Sequence, residues 1–255
     1  MERRGLAGEM EVLVAPGLER RGVLAAFPER AGGESEPPFH ALNMGFRTGD
    51  ELDRVRGNRI RAVAALDVPR FAVARQVHGT ELARVPGQAA GAGFDDPGTG
   101  LGPADILVTA ERALPLAILV ADCLPIVLAS DDLLVMVHAG WRGLASGILG
   151  RAASAFEQPA GVAAVIGPAI GSCHYEVGPE VVAAVEAGSP GGAVVERRDG
   201  SEALDLTRTA VRGLAAEGVL EVEAADVCTA CEPERFYSHR RDGRTGRHAM
   251  VAMRT

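Results

Sequence analysis

Lysine is absent from these 255 residues, so all 26 basic side chains are arginine. That absence excludes a Schiff-base lysine for pyridoxal phosphate, a lysine-terminated phosphate loop and a catalytic lysine base. Anion binding falls instead to arginine, backbone N–H groups or a metal. Aromatic residues are also scarce, 4% against 47% hydrophobic overall, so the core must be built from Ala, Val, Leu and Ile. Positive charge is not in excess. A net charge of -8 and a pI near 5.3 give no overall pull towards nucleic acid or an anionic membrane, and no nucleic-acid partner is expected.

Four cysteines are too few for a disulfide framework at this length, so free thiols or metal ligands fit better. The stretch Met1 to Glu9 carries charge but no apolar run of signal-peptide length, and nothing later is long enough to span a membrane. The expectation is a soluble, cytoplasmic protein. Its length allows one large α/β domain or two small ones, and no repeat or convincing linker divides it.

Strand and helix patterns alternate along the chain, which makes the class α/β. Strands are predicted at Met10 to Val14 and Val23 to Phe27, before a Gly/Glu/Pro loop from Glu29 to Pro38. Asp50 is the predicted N-cap of a helix running through Asn58 to Leu66 and ending before Pro69. Phe71 to Val77 reads as a strand delivering His78, and the glycine-rich stretch Gly87 to Gly102 as a mobile surface loop near the site. Near-continuous apolar runs (Ile106 to Thr109, Leu114 to Val120, Ile126 to Ala129, Leu133 to Val137) predict strands buried on both faces. A helix is expected from Trp141 through Ala155, a strand at Ala163 to Ile166, and helices from Pro179 through Val185 and from Leu204 to Glu217.

Three residues stand in glycine- or proline-marked motifs beside these runs: His78 in Gln-Val-His-Gly-Thr, Cys123 in Ala-Asp-Cys-Leu-Pro, and His138 in Val-His-Ala-Gly-Trp-Arg-Gly. Two imidazoles and one thiolate would leave a fourth position on zinc open for water, the arrangement of a catalytic metal site. The competing reading is a set of hydrogen-bonded structural histidines and a small buried thiol. All three fall at strand–turn junctions, where α/β folds place their sites. Asp105 and Asp122 are candidate carboxylates for orienting a ligand imidazole, with turn capping the alternative.

Cys228-Thr229-Ala230-Cys231 invites a zinc-ribbon reading. No second Cys-x-x-Cys pair exists, however, and His239 lies eight residues on, so the spacing alone argues against four ligands. Cys173-His174 is read as structural. Among the arginines, Arg47 in its Gly/Asn turn, Arg142 beside a helix start, and Arg240-Arg241 could bind an anion bidentately. Asn43, which opens the turn holding Arg47, is a companion candidate for substrate or phosphate binding.

The strings Gln-Val-His-Gly, Ala-Asp-x-Leu-Val-Thr, Ala-Asp-Cys-Leu-Pro-Ile, His-Ala-Gly-Trp-Arg-Gly, Ile-Gly-Pro-x-Ile-Gly and Arg-Arg-Asp-Gly-x-Thr-Gly-Arg resemble the YfiH family, the laccase-domain proteins. They run in order from about Asn43 to Arg247. The resemblance implies a single domain over residues 1–255, a layered α/β sandwich with a mixed sheet and a metal site at strand–loop junctions. Its ligands correspond to His78, Cys123 and His138, with zinc the implied metal and copper the alternative. It further implies purine nucleoside phosphorolysis on adenosine, inosine, guanosine and S-methyl-5'-thioadenosine, with adenosine deamination as a further activity; the partners are then small purine nucleosides and phosphate. One departure is visible: Ser172-Cys173-His174 stands where many relatives carry Pro-Cys-Cys or similar.

Three other functions stay open at this point. The family's older label is copper polyphenol oxidase, a laccase-like oxidoreductase, although a full multicopper centre needs more imidazoles than six histidines provide. Some members are linked to an amidase reaction that edits peptidoglycan precursors. The last is a non-enzymatic, metal-stabilised binding domain, which predicts four protein ligands and no open position.

Overall fold

The apolar runs at the centre of the chain form strands whose successive side chains enter different layers. The computed structural model describes every residue except Gly8 and Asp199, together with all side chains but that of Arg198. In chain order the first strands are β1 (Glu2–Gly5), β2 (Glu11–Val14), β3 (Val23–Pro28), β4 (Leu82–Arg84), β5 (Ile106–Thr109), β6 (Leu116–Val120) and β7 (Leu124–Ala129). There follow β8 (Leu134–Ala139), β9 (Ala163–Ile166), β10 (Glu176–Val177), β11 (Val195–Arg198), β12 (Ser201–Leu204), β13 (Glu221–Ala224) and β14 (His248–Arg254). The helices are α1 (Pro16–Glu19), α2 (Leu52–Leu66), α3 (Trp141–Ala145), α4 (Ile148–Ala153), α5 (Pro179–Gly188), α6 (Leu206–Ala216) and α7 (His239–Asp242).

Two large sheets lie face to face. One is antiparallel, in the order β1-β2-β3-β14-β6; the other is mixed, in the order β13-β9-β7-β8-β5-β4, with its two outer pairs parallel. Between them pack Leu116, Ile118 and Val120 from one sheet and Leu107, Val127 and Met136 from the other. The intervening residues Val108, Ile126, Val135 and Val137 point the other way, onto Leu144, Ile148, Leu149, Val185 and Leu214 of the helices. Ala117 and Val251 of the antiparallel sheet face Ala62 and Val63 of α2. The layers are therefore helix, sheet, sheet, helix, and strands covered on both sides need no polar alternation.

Several local expectations change. Helix α2 is capped at Glu51, not Asp50, because the Asp50 carboxylate is held by Ser35 Oγ at 2.6 Å and Asn43 Nδ2 at 2.9 Å as well as by the Glu51 N–H. Phe71 to Val77 is extended but not a regular strand: its backbone pairs by single bridges with Leu116 and Pro103. The predicted helix after Trp141 breaks at Gly147 (φ 76°), and the turn there lets both Leu144 and Ile148 bury. Leu204 belongs to β12, and Asp205 caps α6 by accepting the Arg208 N–H. Strand β1 is wholly exposed and charged, with Arg3 and Arg4 paired to Glu29 and Glu19, so no apolar pattern announces it. Among the described residues, no helix is long and apolar enough to cross a membrane.

Two buried groups make the fold acid-sensitive. His248 is fully buried, accepts the Tyr237 N–H at 2.8 Å and faces the Pro28 carbonyl at 3.1 Å, so the neutral ring is satisfied at both nitrogens. Burial, aided by Arg30 and Arg247, pushes it down to about 3. Burial alone would raise Glu29, but hydrogen bonds from Arg235 and Arg3 hold it below the ordinary carboxylate range. Both shifts act in the same direction: stability is full at neutral pH and declines as pH falls, because the unfolded chain takes up the protons first. His248 contributes about 1.4 kcal/mol per pH unit from roughly pH 6.5 downwards. Urea titrations at stepped pH should show this slope, and His248→Asn should flatten it; a pH-independent midpoint from 7 to 4 would contradict it.

Candidate metal centre

In the antiparallel pair β7–β8, Pro125 lies opposite His138 and Leu124 opposite Ala139. Alternation sends Val137 and Ala139 to the helices and Met136 to the space between the sheets, so His138 follows Met136 into that space. Cys123 immediately precedes β7, where the chain crosses from β6 of one sheet to β7 of the other. His78 sits in the turn after the extended segment, at φ 61°. The ligand atoms of all three residues lie within 4.8 Å of one another, and the two imidazoles meet edge to face with centroids 4.7 Å apart. Gly140 closes the cluster from behind: a Cβ there would lie 2.9 Å from Cys123 Sγ.

Asp105 organises two of the three. Its oxygens accept the backbone N–H groups of Val77 (3.1 Å), His78 (3.0 Å) and Gly79 (2.8 Å), which holds His78 in a left-handed conformation that otherwise costs on the order of 1–3 kcal/mol. Oδ1 also meets His138 Nδ1 at 2.7 Å, and the Asp105 carbonyl accepts the His138 N–H at 2.8 Å. Burial alone would raise the carboxyl, but these hydrogen bonds, from His138 and then Gly79 and Val77, hold it below the ordinary range. As an acceptor-only carboxylate it fixes the Nδ1–H tautomer and leaves His138 Nε2 for a metal. Burial opposes charge on Cys123 and His138, yet each stabilises the other: Cys123 comes down to about 6, with His78 assisting, and His138 rises to about 9, with Asp105 assisting. Two nitrogens and a thiolate suit zinc or copper, and three protein ligands leave a position open.

The cluster lies in a cleft of about 880 Å³. Six arginines line it (Arg47, Arg59, Arg75, Arg142, Arg240, Arg247), with Asp122 the one carboxylate among the described lining residues. In a chain of net charge -8, this cleft is a local field of opposite sign. The guanidinium groups of Arg47, Arg75 and Arg142 make no hydrogen bond or ion pair among the described residues, although Arg142 lies over the Trp141 ring at 4.5 Å. Phe46, Trp141 and Tyr175 add aromatic surface.

Of the residues singled out from sequence, Arg47 and Arg142 reach the cleft, as does the loop before β5 through Gly93, Gly98 and Gly102. Asn43 does not. It is fully buried, and its amide joins Thr48 and Asp50 to the Gly45 and Arg247 N–H groups, so it shapes the turn behind Arg47. Asp122 does not meet an imidazole either; it accepts from Thr229 Oγ1 and the Arg240 N–H, both at 2.7 Å, and so anchors the cleft wall beside Cys123. Sequence reasoning missed Gln76, whose amide pairs with both backbone groups of Leu119, and Arg59. That guanidinium is buried on three carbonyls, of Met44, Gly93 and Phe94, with no carboxylate bonded to it; burial lowers it to about 9. Nothing in local pattern marks a charged residue that faces inward from α2.

Residues 24–255 match the family model described as "Multi-copper polyphenol oxidoreductase laccase". A curated relative from Geobacillus stearothermophilus, named Purine nucleoside phosphorylase YlmD, is 38% identical over 241 residues, covering 89% of this chain and 88% of its own. Another from Escherichia coli, named Purine nucleoside phosphorylase YfiH, is 35% identical over 246 residues, covering 94% of this chain and 98% of its own. The crystal structure of the hypothetical protein YfiH of Bacillus licheniformis superposes with a TM-score of 0.89 at 31% identity, covering 99% of both chains. The family model, the curated relatives and the superposed structure agree: the chain belongs to the YfiH family of laccase-domain proteins.

Proposed function

We propose that this protein, with residues 1–255 acting as one domain, is a zinc-dependent purine nucleoside phosphorylase. Its substrates are phosphate and adenosine, inosine, guanosine or S-methyl-5'-thioadenosine. The observation that carries this reading is one cleft in an acidic chain that combines free guanidinium groups, aromatic faces and a three-ligand cluster. The relatives named as purine nucleoside phosphorylases support it.

Phosphorolysis joins a phosphate oxygen to C1′ of the ribose as the bond from C1′ to the base breaks, and the bonding pair leaves on the purine. Arg47, Arg75 and Arg142 are free to hold the phosphate. Trp141 and Tyr175 offer flat apolar faces to the base. The Tyr175 phenol, pushed up to about 12 by burial and then by the Cys123 charge, stays protonated and can donate to a purine nitrogen. His78, Cys123 and His138 would hold the zinc, which when bound would supply Lewis-acid positive charge to the cleft. Asp105 keeps the His138 ring in the one tautomer that presents Nε2.

The polyphenol-oxidase description of the family finds no multicopper imidazole set among the described residues. Of the six histidines, His248 is bonded within the core, His174 lies in a different cluster, His239 meets the Gly243 carbonyl through Nδ1 at the cleft rim and His40 joins neither cluster, so His78 and His138 alone stand with Cys123.

The test is a product assay on adenosine with and without phosphate. Adenine and ribose 1-phosphate, formed only with phosphate, are expected; inosine formed without phosphate would be the further adenosine deaminase activity, and absence of adenine and ribose 1-phosphate would overturn the reading. Arg142→Ala should raise KM for phosphate about 10- to 100-fold while KM for nucleoside changes less, the loss of one charge-assisted contact of about 1.5–3 kcal/mol. An unchanged phosphate KM would remove Arg142 from that role.

A further inference from the structure

Cys228 and Cys231 have no metal-ligand partners nearby in sequence, but in three dimensions the fold brings Cys173 and His174 to them from another loop. Cys173 and His174 follow β9 through Gly171, and Cys228 to Cys231 follow β13, the strand paired with β9. A backbone bridge between Ala169 and Cys228 and a Thr229 N–H bond to the Ala169 carbonyl hold the two loops together. As a result, the three thiols and one imidazole have their ligand atoms within 4.8 Å of one another.

The distances match a coordination polyhedron. Bond lengths of about 2.3 Å to sulfur and 2.0–2.1 Å to nitrogen at tetrahedral angles require edges of about 3.8 Å between sulfurs and about 3.5 Å between sulfur and nitrogen. Cys173 Sγ lies 3.5 Å from Cys231 Sγ. His174 Nδ1 lies 3.3 Å from Cys173 Sγ, 3.5 Å from Cys231 Sγ and 3.8 Å from Cys228 Sγ. Cys228 Sγ also receives three backbone N–H groups: Gly171 at 3.2 Å, with those of Ala230 and Cys231. Donors aimed at a sulfur from its own Cys-x-x-Cys turn stabilise a thiolate. A disulfide would use two of the four groups and explain neither the inward imidazole nor the third thiol.

We propose that Cys173, His174, Cys228 and Cys231 form a second, structural metal site that takes zinc or a similarly thiophilic tetrahedral cation. Four protein ligands close the coordination sphere, in contrast to the three-ligand centre. None of the four residues lines the cleft, but the site anchors its wall. Thr229, inside the Cys-x-x-Cys turn, donates to Asp122 beside Cys123, and the Thr229 and Ala230 carbonyls accept from Arg241. Tyr175, next to His174, stacks under Arg240 at 4.8 Å.

Elemental analysis of the full-length protein, purified under reducing conditions and freed of loose metal, tests this. The wild type should hold two zinc equivalents per chain, Cys228→Ser/Cys231→Ser one, and Cys123→Ala one. Should the double variant fail to fold, the wild type alone decides: a thiol-directed mercurial should release two equivalents to a metallochromic indicator. The exposed variant His174→Ala should weaken only one of them. A single equivalent in the wild type, lost in Cys123→Ala, would overturn the proposal; so would a disulfide in a parallel preparation made without reductant, seen as two missing titratable thiols with no metal beyond that single equivalent.

Discussion

Cys123→Ala is expected to lose the metal of the three-ligand centre and at least about a thousandfold of phosphorolytic kcat/KM, with the fold retained. Removing one of three ligands forfeits several kcal/mol of charge stabilisation, and about 1.4 kcal/mol corresponds to a tenfold change in rate. Cys123 is only half-buried at a junction between sheets, so truncation leaves the main inter-sheet core intact. Circular dichroism, metal content and kinetics on one preparation separate these effects. Metal-free Cys123→Ala turning over at more than a tenth of the wild-type rate would refute the assignment.

The second large effect is at Asp105. Its carboxylate accepts three successive backbone N–H groups as well as His138 Nδ1, at zero exposure. Asp105→Ala leaves these donors without an acceptor, a cost on the order of 3–5 kcal/mol. For a chain of this size that lowers Tm by roughly 6–20 °C. Asp105→Asn keeps the shape but supplies one acceptor oxygen where two were used; metal affinity should fall about 10- to 100-fold. Because Asp105 acts by positioning His78 and His138, turnover of Asp105→Asn should recover as zinc is raised. Loss of kcat at saturating zinc with unchanged metal affinity would instead mean that Asp105 meets the substrate.

The strands of the central layers were legible because burial on both faces writes a continuous apolar run. The convergence of His78, Cys123 and His138 was legible because each sits in a motif of small or turn-forming residues, and Gly140 shows why: the cluster has no room for a Cβ there. What could not be read depends on contacts remote in sequence. β10, β11 and β13 carry mixed polar side chains and are strands only because β12 and β9 pair with them. The extended run before His78 divides its hydrogen bonds between the start of β6 and the loops around Ala92 and Gly102 and, among the described residues, pairs with no strand along its length. Asp122 looked like an imidazole's partner, yet it bonds Thr229 and Arg240, 107 and 118 residues away. Cys173-His174 and Cys228-Thr229-Ala230-Cys231 each looked incomplete because their complements are about 55 residues apart. A pairing of that separation has no local pattern.

The central claim is that one metal-holding, arginine-lined cleft performs phosphorolysis. The most direct measurement is release of hypoxanthine from inosine by protein stripped of metal, then reloaded with one equivalent of zinc at a time, with and without phosphate. Release that requires phosphate, is lost on stripping, returns with zinc and never returns in Cys123→Ala is the predicted result. Phosphate-dependent release by the metal-free wild type at its original rate would contradict it.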